Sequence, residues 1–226
     1  MLRIAGTTVT QVGKVTICEN DCDPSTTAFT PDGRTALVTR FNDHKVSVLA
    51  VDGTQVTYTK EDISSGPKPY PMEMAPDGTV AVVSNVGNGL TGGADTLSVI
   101  DLTGTFPRVV NSVSVPPLPE GIAFSHDGRF LAAASMNGSN SPPTSRLFND
   151  FGILTVFRRA GRSLTPVTQT RIGHWCEGIA WNAKGDTLLV QCAEEELQVF
   201  RFNGRRLTRA GSLKVHGVPS GIGTAR

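Results

Sequence analysis

The stretch that decides the fold is PEGIAFSHDGRFLAAAS, which runs from Pro119 to Ser135. It predicts a strand over residues 120–124, a tight polar turn over 125–128 and a second apolar strand over 130–135. Related phrases occur four more times along the chain. They read PSTTAFTPDGRTALVTR from Pro24, PYPMEMAPDGTVAVVSN from Pro69, CEGIAWNAKGDTLLVQC from Cys176 and a shorter PSGIGTAR from Pro219. Repetition at this spacing predicts a repeat architecture.

Two columns of glycine mark the turns of each repeat. The first column is separated by 45, 50 and 57 residues and consists of Gly33, Gly78, Gly128 and Gly185. Each is followed by an apolar strand, a third strand and a glycine of the second column, and then by a fourth strand. The second column consists of Gly53, Gly104, Gly161 and Gly204. Because glycine suits tight hairpin turns, each unit is predicted to be an antiparallel meander of four strands, here called A to D.

The unit boundaries predict one domain over residues 1–226 of the 226-residue chain. Complete units span 24–64, 69–115, 119–172 and 176–215. The ends match parts of a unit, with strands C and D in 1–17 and strand A in 219–226. Four-stranded units at this period are typical of β-propeller blades. The predicted fold class is therefore all-β, a β-propeller with four complete blades and partial blade strands at both ends.

The wording of the repeat resembles a known family. PDGR at 31–34, ALVT at 36–39 and VSVLAVDG at 46–53 resemble the YVTN-type repeats of YncE-like and seven-bladed lactonase-like propellers. Since those propellers have about seven blades, the resemblance implies a shortened ring. A five-bladed ring with one defective blade is an alternative. Two chains that complete each other's ring are another, so oligomerisation is also considered.

Composition excludes several classes of partner. The formal net charge is +1 and no run of Lys or Arg occurs, so neither nucleic acid nor an acidic membrane surface is predicted as a partner. No apolar run is long enough for a membrane span. Met1 leads directly into a strand pattern, so no signal peptide is visible. The compartment stays open, and a periplasmic or secreted location is compatible with a shortened N-terminus.

The functional site is predicted where the start of strand A and the end of strand B meet at the channel mouth. Residue types vary there while their neighbours stay apolar, as expected of positions that blade packing does not constrain. The column that starts strand A contains Ser25, Tyr70, Glu120, Glu177 and Ser220. The column that ends strand B contains Arg40, Asn85, Ser135 and Cys192.

Glu120 and Glu177 are the predicted catalytic pair, with His174 as a third candidate. Two carboxylates at a channel mouth could act as general acid and base, or help to hold a divalent cation. Their EGIA segments resemble the strand that supplies a metal-binding Glu in gluconolactonase-type propellers. No cofactor is assigned and no metal site is predicted, because no spacing such as HxxxH supports one. The alternative is a pair of solvated rim carboxylates.

Six residues are predicted to contact a ligand. They lie at the channel columns or in connections on the same face, and they are Arg40, His44, Tyr70, Asn85, Arg146 and His216. Arg146 belongs to an enlarged connection over 136–150, and insertions in repeat proteins often form the binding face. The alternative is that these are ordinary loop residues and tolerated insertions.

The four cysteines suggest two pairs. Cys176 and Cys192 flank one A–B hairpin, and Cys18 and Cys22 bracket a short loop. Either pair could form a disulfide, which would indicate an oxidising compartment. Free thiols are the alternative.

Two functions follow from these observations, and whether the protein is an enzyme stays open. The first is a binding scaffold whose channel face takes a small molecule, a peptide or a partner protein. The second is a lactonase that hydrolyses a sugar lactone. In it Glu120 or Glu177 would act as base, while Arg40, His44 or His174 polarises the carbonyl. The absence of a GxSxG motif gives no support to a Ser-His-Asp site.

Overall fold

A computed structural model describes residues 1–87, 93–194, 196–218 and 221–223. In these ranges the regular structure consists of β-strands. The strands are β1 (Leu2–Ala5), β2 (Thr8–Gln11), β3 (Pro24–Phe29), β4 (Thr35–Arg40), β5 (Lys45–Asp52), β6 (Gln55–Ser64), β7 (Pro69–Met74), β8 (Val80–Asn85), β9 (Asp95–Asp101), β10 (Arg108–Val115), β11 (Pro119–Phe124), β12 (Phe130–Ser135), β13 (Gly152–Ala160), β14 (Ser163–Ile172), β15 (Ile179–Trp181), β16 (Thr187–Cys192), β17 (Glu196–Phe202) and β18 (Leu207–Lys214).

Four antiparallel sheets of four strands each make up the blades. The first blade is β3–β6, the second β7–β10, the third β11–β14 and the fourth β15–β18, each paired in chain order. Short turns join strands A to B and C to D in each blade, whereas residues 136–151 connect β12 to β13 in the third blade. The predicted fold class, an all-β propeller with four-stranded blades, is confirmed.

The core lies between successive blades. Their inner strands β3, β7, β11 and β15 follow one another around the channel. Between the second and third blades, Val82 packs in one apolar cluster with Leu131 and Phe157. Between the third and fourth, Leu154 packs with Trp181 and Phe200. Each blade thus buries apolar side chains against a neighbour, and the core is a series of apolar clusters between successive blades.

The recurring residues in the interior of the repeat have structural roles. At the A–B turn of the third blade, Gly128 has a φ of 67°, which favours glycine. The Asp127 carboxylate accepts hydrogen bonds from the Ser125 hydroxyl and the Arg129 backbone N–H, at 2.7 and 3.0 Å. Arg159 on β13 then donates to Asp77 of the second blade at 2.9 Å. These groups stabilise turns and join blades.

The two ends differ from a complete blade. The predicted C–D pair at the N-terminus forms the exposed hairpin β1–β2, but its second strand ends at Gln11 rather than continuing to residue 17. Val15 and Ile17 pack instead against the apolar cluster of the first blade. The predicted closing strand over 219–226 lies largely outside the described residues, and 221–223 form no strand. The described residues contain no helix that is long and apolar enough to cross a membrane.

Candidate functional site

The third and fourth blades bring Glu120 and Glu177 together at the channel. Glu120 lies on β11, and Glu177 lies two residues before β15, which begins at Ile179 rather than at the predicted residue 177. Gly121 makes the approach possible. A Cβ atom on Gly121 would lie 2.2 Å from the backbone carbonyl oxygen of Glu177, far inside van der Waals contact. The absence of a side chain at Gly121 therefore places the two carboxyl groups side by side.

Gly121→Ala is expected to separate the two segments. The added methyl group would collide with backbone at Glu177, so we expect a loss of about 1–3 kcal/mol in the free energy of unfolding. The Glu120 pKa should also fall towards its ordinary value, because Glu177 would lie further away. Thermal unfolding and carboxyl titration by NMR measure the two effects. Gly104→Ala is the matched control, since its nearest contact would be an ordinary 3.8 Å. Unchanged titration in Gly121→Ala would contradict this role.

The pair holds a proton near neutral pH. Burial, the negative charge of Glu177 and a hydrogen bond with the Glu177 carboxyl raise the pKa of Glu120 to about 7. Burial, followed by the charges of both glutamates, also raises the pKa of the Tyr70 hydroxyl. Two adjacent carboxylates resist double ionisation, so they titrate as a unit. Such a pair offers one proton donor and one proton acceptor at the same site.

A cavity of about 200 Å³ opens beside this pair. Its wall combines the inner strands of all four blades with residues near the end of the chain. It is lined by Ser25, Thr26, Tyr70, Pro71, Glu120, Ile122, Glu177, Gly178, Ile179, Gly221 and Ile222. Three of these, Ile122, Ile179 and Ile222, also line a second cavity of about 510 Å³ further along the channel.

Arg40 does not line this cavity, so its role as a ligand contact stays a prediction. It is only 7% exposed, forms a salt bridge with Asp43, and donates from Nη1 to Asp62 Oδ2 at 3.0 Å. Burial opposes its charge, yet these two carboxylates outweigh that effect and raise the pKa of Arg40. The Arg40 guanidinium therefore forms its ion pairs within the first blade.

His44 and Asn85 make structural contacts and do not line this cavity, so their predicted role in ligand binding stays a prediction. The His44 Nδ1 atom accepts a hydrogen bond from the Lys68 backbone N–H at 2.9 Å. Asn85 is 1% exposed, and its amide binds the hydroxyls of Thr96 and Ser98. Both side chains therefore stabilise connections on this face. Ser220 of the strand A column lies outside the described residues.

Of the other predicted residues, some line the cavity and others do not. Tyr70 lines the cavity together with the carboxyl pair. His174 does not line it, and its Nδ1 lies 2.9 Å from Glu194 Oε1. Arg146 and His216 are exposed and lie outside the cavity wall. The structure thus brings together Tyr70, Glu120 and Glu177, without the predicted histidine or arginine.

Both predicted cysteine pairs are disulfides in the structure. Cys176 is bonded to Cys192 and Cys18 to Cys22. Cys176 and Cys192 are fully buried between the third and fourth blades. Because Glu177 follows Cys176 directly, this bond anchors the segment that carries one of the two carboxyl groups.

Sequence reasoning missed one residue of the site, Trp175. Its indole Nε1 donates to Glu177 Oε1 at 2.5 Å. The signal available was its position, two residues before the predicted glutamate in a D–A connection. Among the described residues, no group of three or more His, Cys, Asp or Glu side chains could hold a metal ion.

Comparison with solved structures identifies similar folds. A candidate 6-phosphogluconolactonase from Bacteroides fragilis superposes with a TM-score of 0.72 and 18% identity, covering 95% of this chain and 62% of that one. The periplasmic gluconolactonase PpgL of Pseudomonas aeruginosa gives 0.67 and 19%, covering 87% and 55%. The β-propeller domain of Cps50 (Swd1) from Myceliophteria thermophila gives 0.55 and 13%, covering 84% and 58%.

These similarities establish a lactonase-like β-propeller fold. The chain spans about three fifths of the length of the lactonase-like structures it matches. No protein-family model and no curated protein sequence matches the chain. At this level of identity the likeness concerns the fold, and activity has to be argued from the site.

Proposed function

We propose that the cavity beside Glu120 and Glu177 binds and hydrolyses a small lactone. The observation that carries this proposal is the carboxyl pair itself, in which burial and the neighbouring charge raise the pKa of Glu120 to about 7. At neutral pH one member is a proton donor and the other a proton acceptor. Ester hydrolysis needs both functions at the reacting carbonyl.

The reaction assigns one role to each carboxyl group. Glu177, as carboxylate, accepts a proton from a water molecule while the water oxygen attacks the acyl carbon of the lactone. The bond between the acyl carbon and the ring oxygen then breaks, and Glu120 donates its proton to that ring oxygen. The product is a hydroxy acid. Proton transfer from Glu177 back to Glu120, through the hydrogen bond between them, restores the starting state.

The size of the cavity and the comparisons indicate the substrate class. A volume of about 200 Å³ is below the roughly 300–1,000 Å³ of pockets for drug-sized ligands. It suits a single small ring, and the Tyr70 hydroxyl and the two carboxyl groups could hydrogen-bond with sugar hydroxyls. The YVTN-type repeat wording and the similarity to a gluconolactonase structure support a sugar lactone.

A binding pocket without catalysis is the second candidate. It is favoured by the chemistry of the wall, because the described lining residues include no arginine, lysine or histidine to polarise a carbonyl. In that case the pair would recognise a small polar molecule through hydrogen bonds. A partner protein or peptide, as in the binding-scaffold hypothesis, would instead contact the exposed connection that carries Arg146.

Turnover of a panel of five- and six-membered sugar lactones tests the proposal. The full chain is expected to open at least one of them faster than spontaneous hydrolysis, and the double variant Glu120→Gln, Glu177→Gln is expected to lose this activity. Equal rates for the two proteins, or no turnover of any lactone, would overturn it. Saturable binding of a lactone without turnover would favour the second candidate.

A further inference from the structure

Trp175 is a large aromatic residue with 49% of its surface exposed. Its backbone φ is +44°, and the residue before strand A is also left-handed in the other three blades, at Asp23, Lys68 and Leu118. This conformation is therefore a feature of the repeat. What sets Trp175 apart is the contact that its indole makes.

Contacts on each side of Trp175 fix the segment that carries it. Its backbone N–H donates to Ser139 Oγ, in the enlarged connection of the third blade, at 3.0 Å. The preceding His174 is tied to Glu194 through both its backbone N–H and its Nδ1 atom. The following Cys176 is bonded to Cys192. Three consecutive residues are thus anchored, one to the enlarged connection of the third blade and two to the end of β16 and the turn that follows it.

These anchors aim the indole at the carboxyl pair. The indole Nε1–H has no acceptor capacity, so in the 2.5 Å contact the Glu177 Oε1 atom must accept. A hydrogen bond donated to a carboxyl oxygen favours its ionised form. We propose that Trp175 is a positioning residue that holds Glu177 as the ionised member of the pair and leaves the shared proton on Glu120.

This inference deepens the proposed lactone hydrolysis and rests on it for its catalytic meaning. Among the other groups around the pair, Tyr70 interacts electrostatically with both glutamates and with Asp23. His174 and Glu194 pair with each other. The Trp175 indole donates to Glu177 and, together with the burial that raises the pKa of Glu120, assigns the base to Glu177 and the acid to Glu120.

Titration of ¹³C-labelled glutamate carboxyls by NMR tests the assignment without any substrate. In Trp175→Phe the apparent pKa of the pair is expected to rise by about one pH unit, because the ionised form loses its donor. Ser139→Ala, which frees the Trp175 backbone, should shift it in the same direction by less. Phe106→Leu is the matched control, because Phe106 is an exposed aromatic residue (66%) in the described part of a C–D turn. Its titration should equal that of the wild type.

Kinetics then separate this inference from the proposed function. If a lactone is turned over, Trp175→Phe should lower kcat roughly 10-fold with little change in KM, and should move the pH profile upward with the titration. An unshifted carboxyl titration in Trp175→Phe overturns the inference even if lactones are hydrolysed. If Trp175→Phe does not fold, an unshifted titration in Ser139→Ala overturns it. A shifted titration in a protein that hydrolyses no lactone supports the positioning role and overturns the hydrolase.

Discussion

Replacing Glu177 with glutamine is expected to lower the turnover number for a sugar lactone by about 10²–10⁴-fold, the usual contribution of a general base. The amide accepts hydrogen bonds but has no basic oxygen to take the proton of the attacking water. Binding should change less than kcat, because the amide keeps the size of the carboxylate. Steady-state kinetics on the best lactone of the panel measure both. Glu61→Gln, on the exposed face of β6, is the matched control and should behave as the wild type. Wild-type kcat in Glu177→Gln would contradict the assignment.

The dependence of activity on pH tests the role of Glu120 as the proton donor. Activity requires a proton on Glu120, whose pKa is raised to about 7, so kcat/KM should fall as pH rises through that value. Glu120→Gln keeps a hydrogen-bond donor but loses the transferable proton. Its residual activity should therefore show no decline near pH 7, and a decline that persists in this variant would assign the alkaline limb to another group.

Removing the disulfide between Cys176 and Cys192 is expected to destabilise the protein by about 3 kcal/mol, since the bond closes a loop of 16 residues. For a chain of this size that corresponds to a fall of roughly 6–12 °C in Tm. The variant is Cys176→Ala with Cys192→Ala, because alanine leaves no polar group in the apolar cluster where both sulfur atoms are buried. Thermal unfolding in the absence and presence of a reductant measures the effect.

The second disulfide supplies the matched control. Cys18 and Cys22 are separated by only four residues, so the same relation gives about 2 kcal/mol when both are replaced by alanine. That bond also lies far along the chain from the carboxyl pair. We therefore expect the Glu120 titration to change in the Cys176/Cys192 variant and to stay unchanged in the Cys18/Cys22 variant. An unaltered Tm in the first variant would show that blade packing alone holds the segment.

The repeat pattern was sufficient to predict the blades, because each strand and turn depends on residues close in sequence. A short continuous run of apolar residues defines strands such as β12, and the Asp-Gly turn beside it is stabilised by local hydrogen bonds. Variation along the strand A column also identified Tyr70, Glu120 and Glu177, because channel positions are free of the packing that keeps their neighbours apolar. The fold and the column of residues that carries the candidate site could therefore be predicted from local sequence patterns.

What only the tertiary structure decided is how those side chains are used. Arg40 resembled a ligand contact in sequence, but the acidic side chains of the same blade are close enough to neutralise it. The Glu120–Glu177 pair depends on a close backbone approach at Gly121 between two blades. The Trp175 contact depends on anchors from the enlarged connection of the third blade and from the end of β16. Proton affinity is set by burial and by charges a few ångströms away. PEGIAFSHDGRFLAAAS thus specified two strands of a blade and placed the Glu120 carboxyl group at the channel. The neighbouring blade determined the proton affinity of that group.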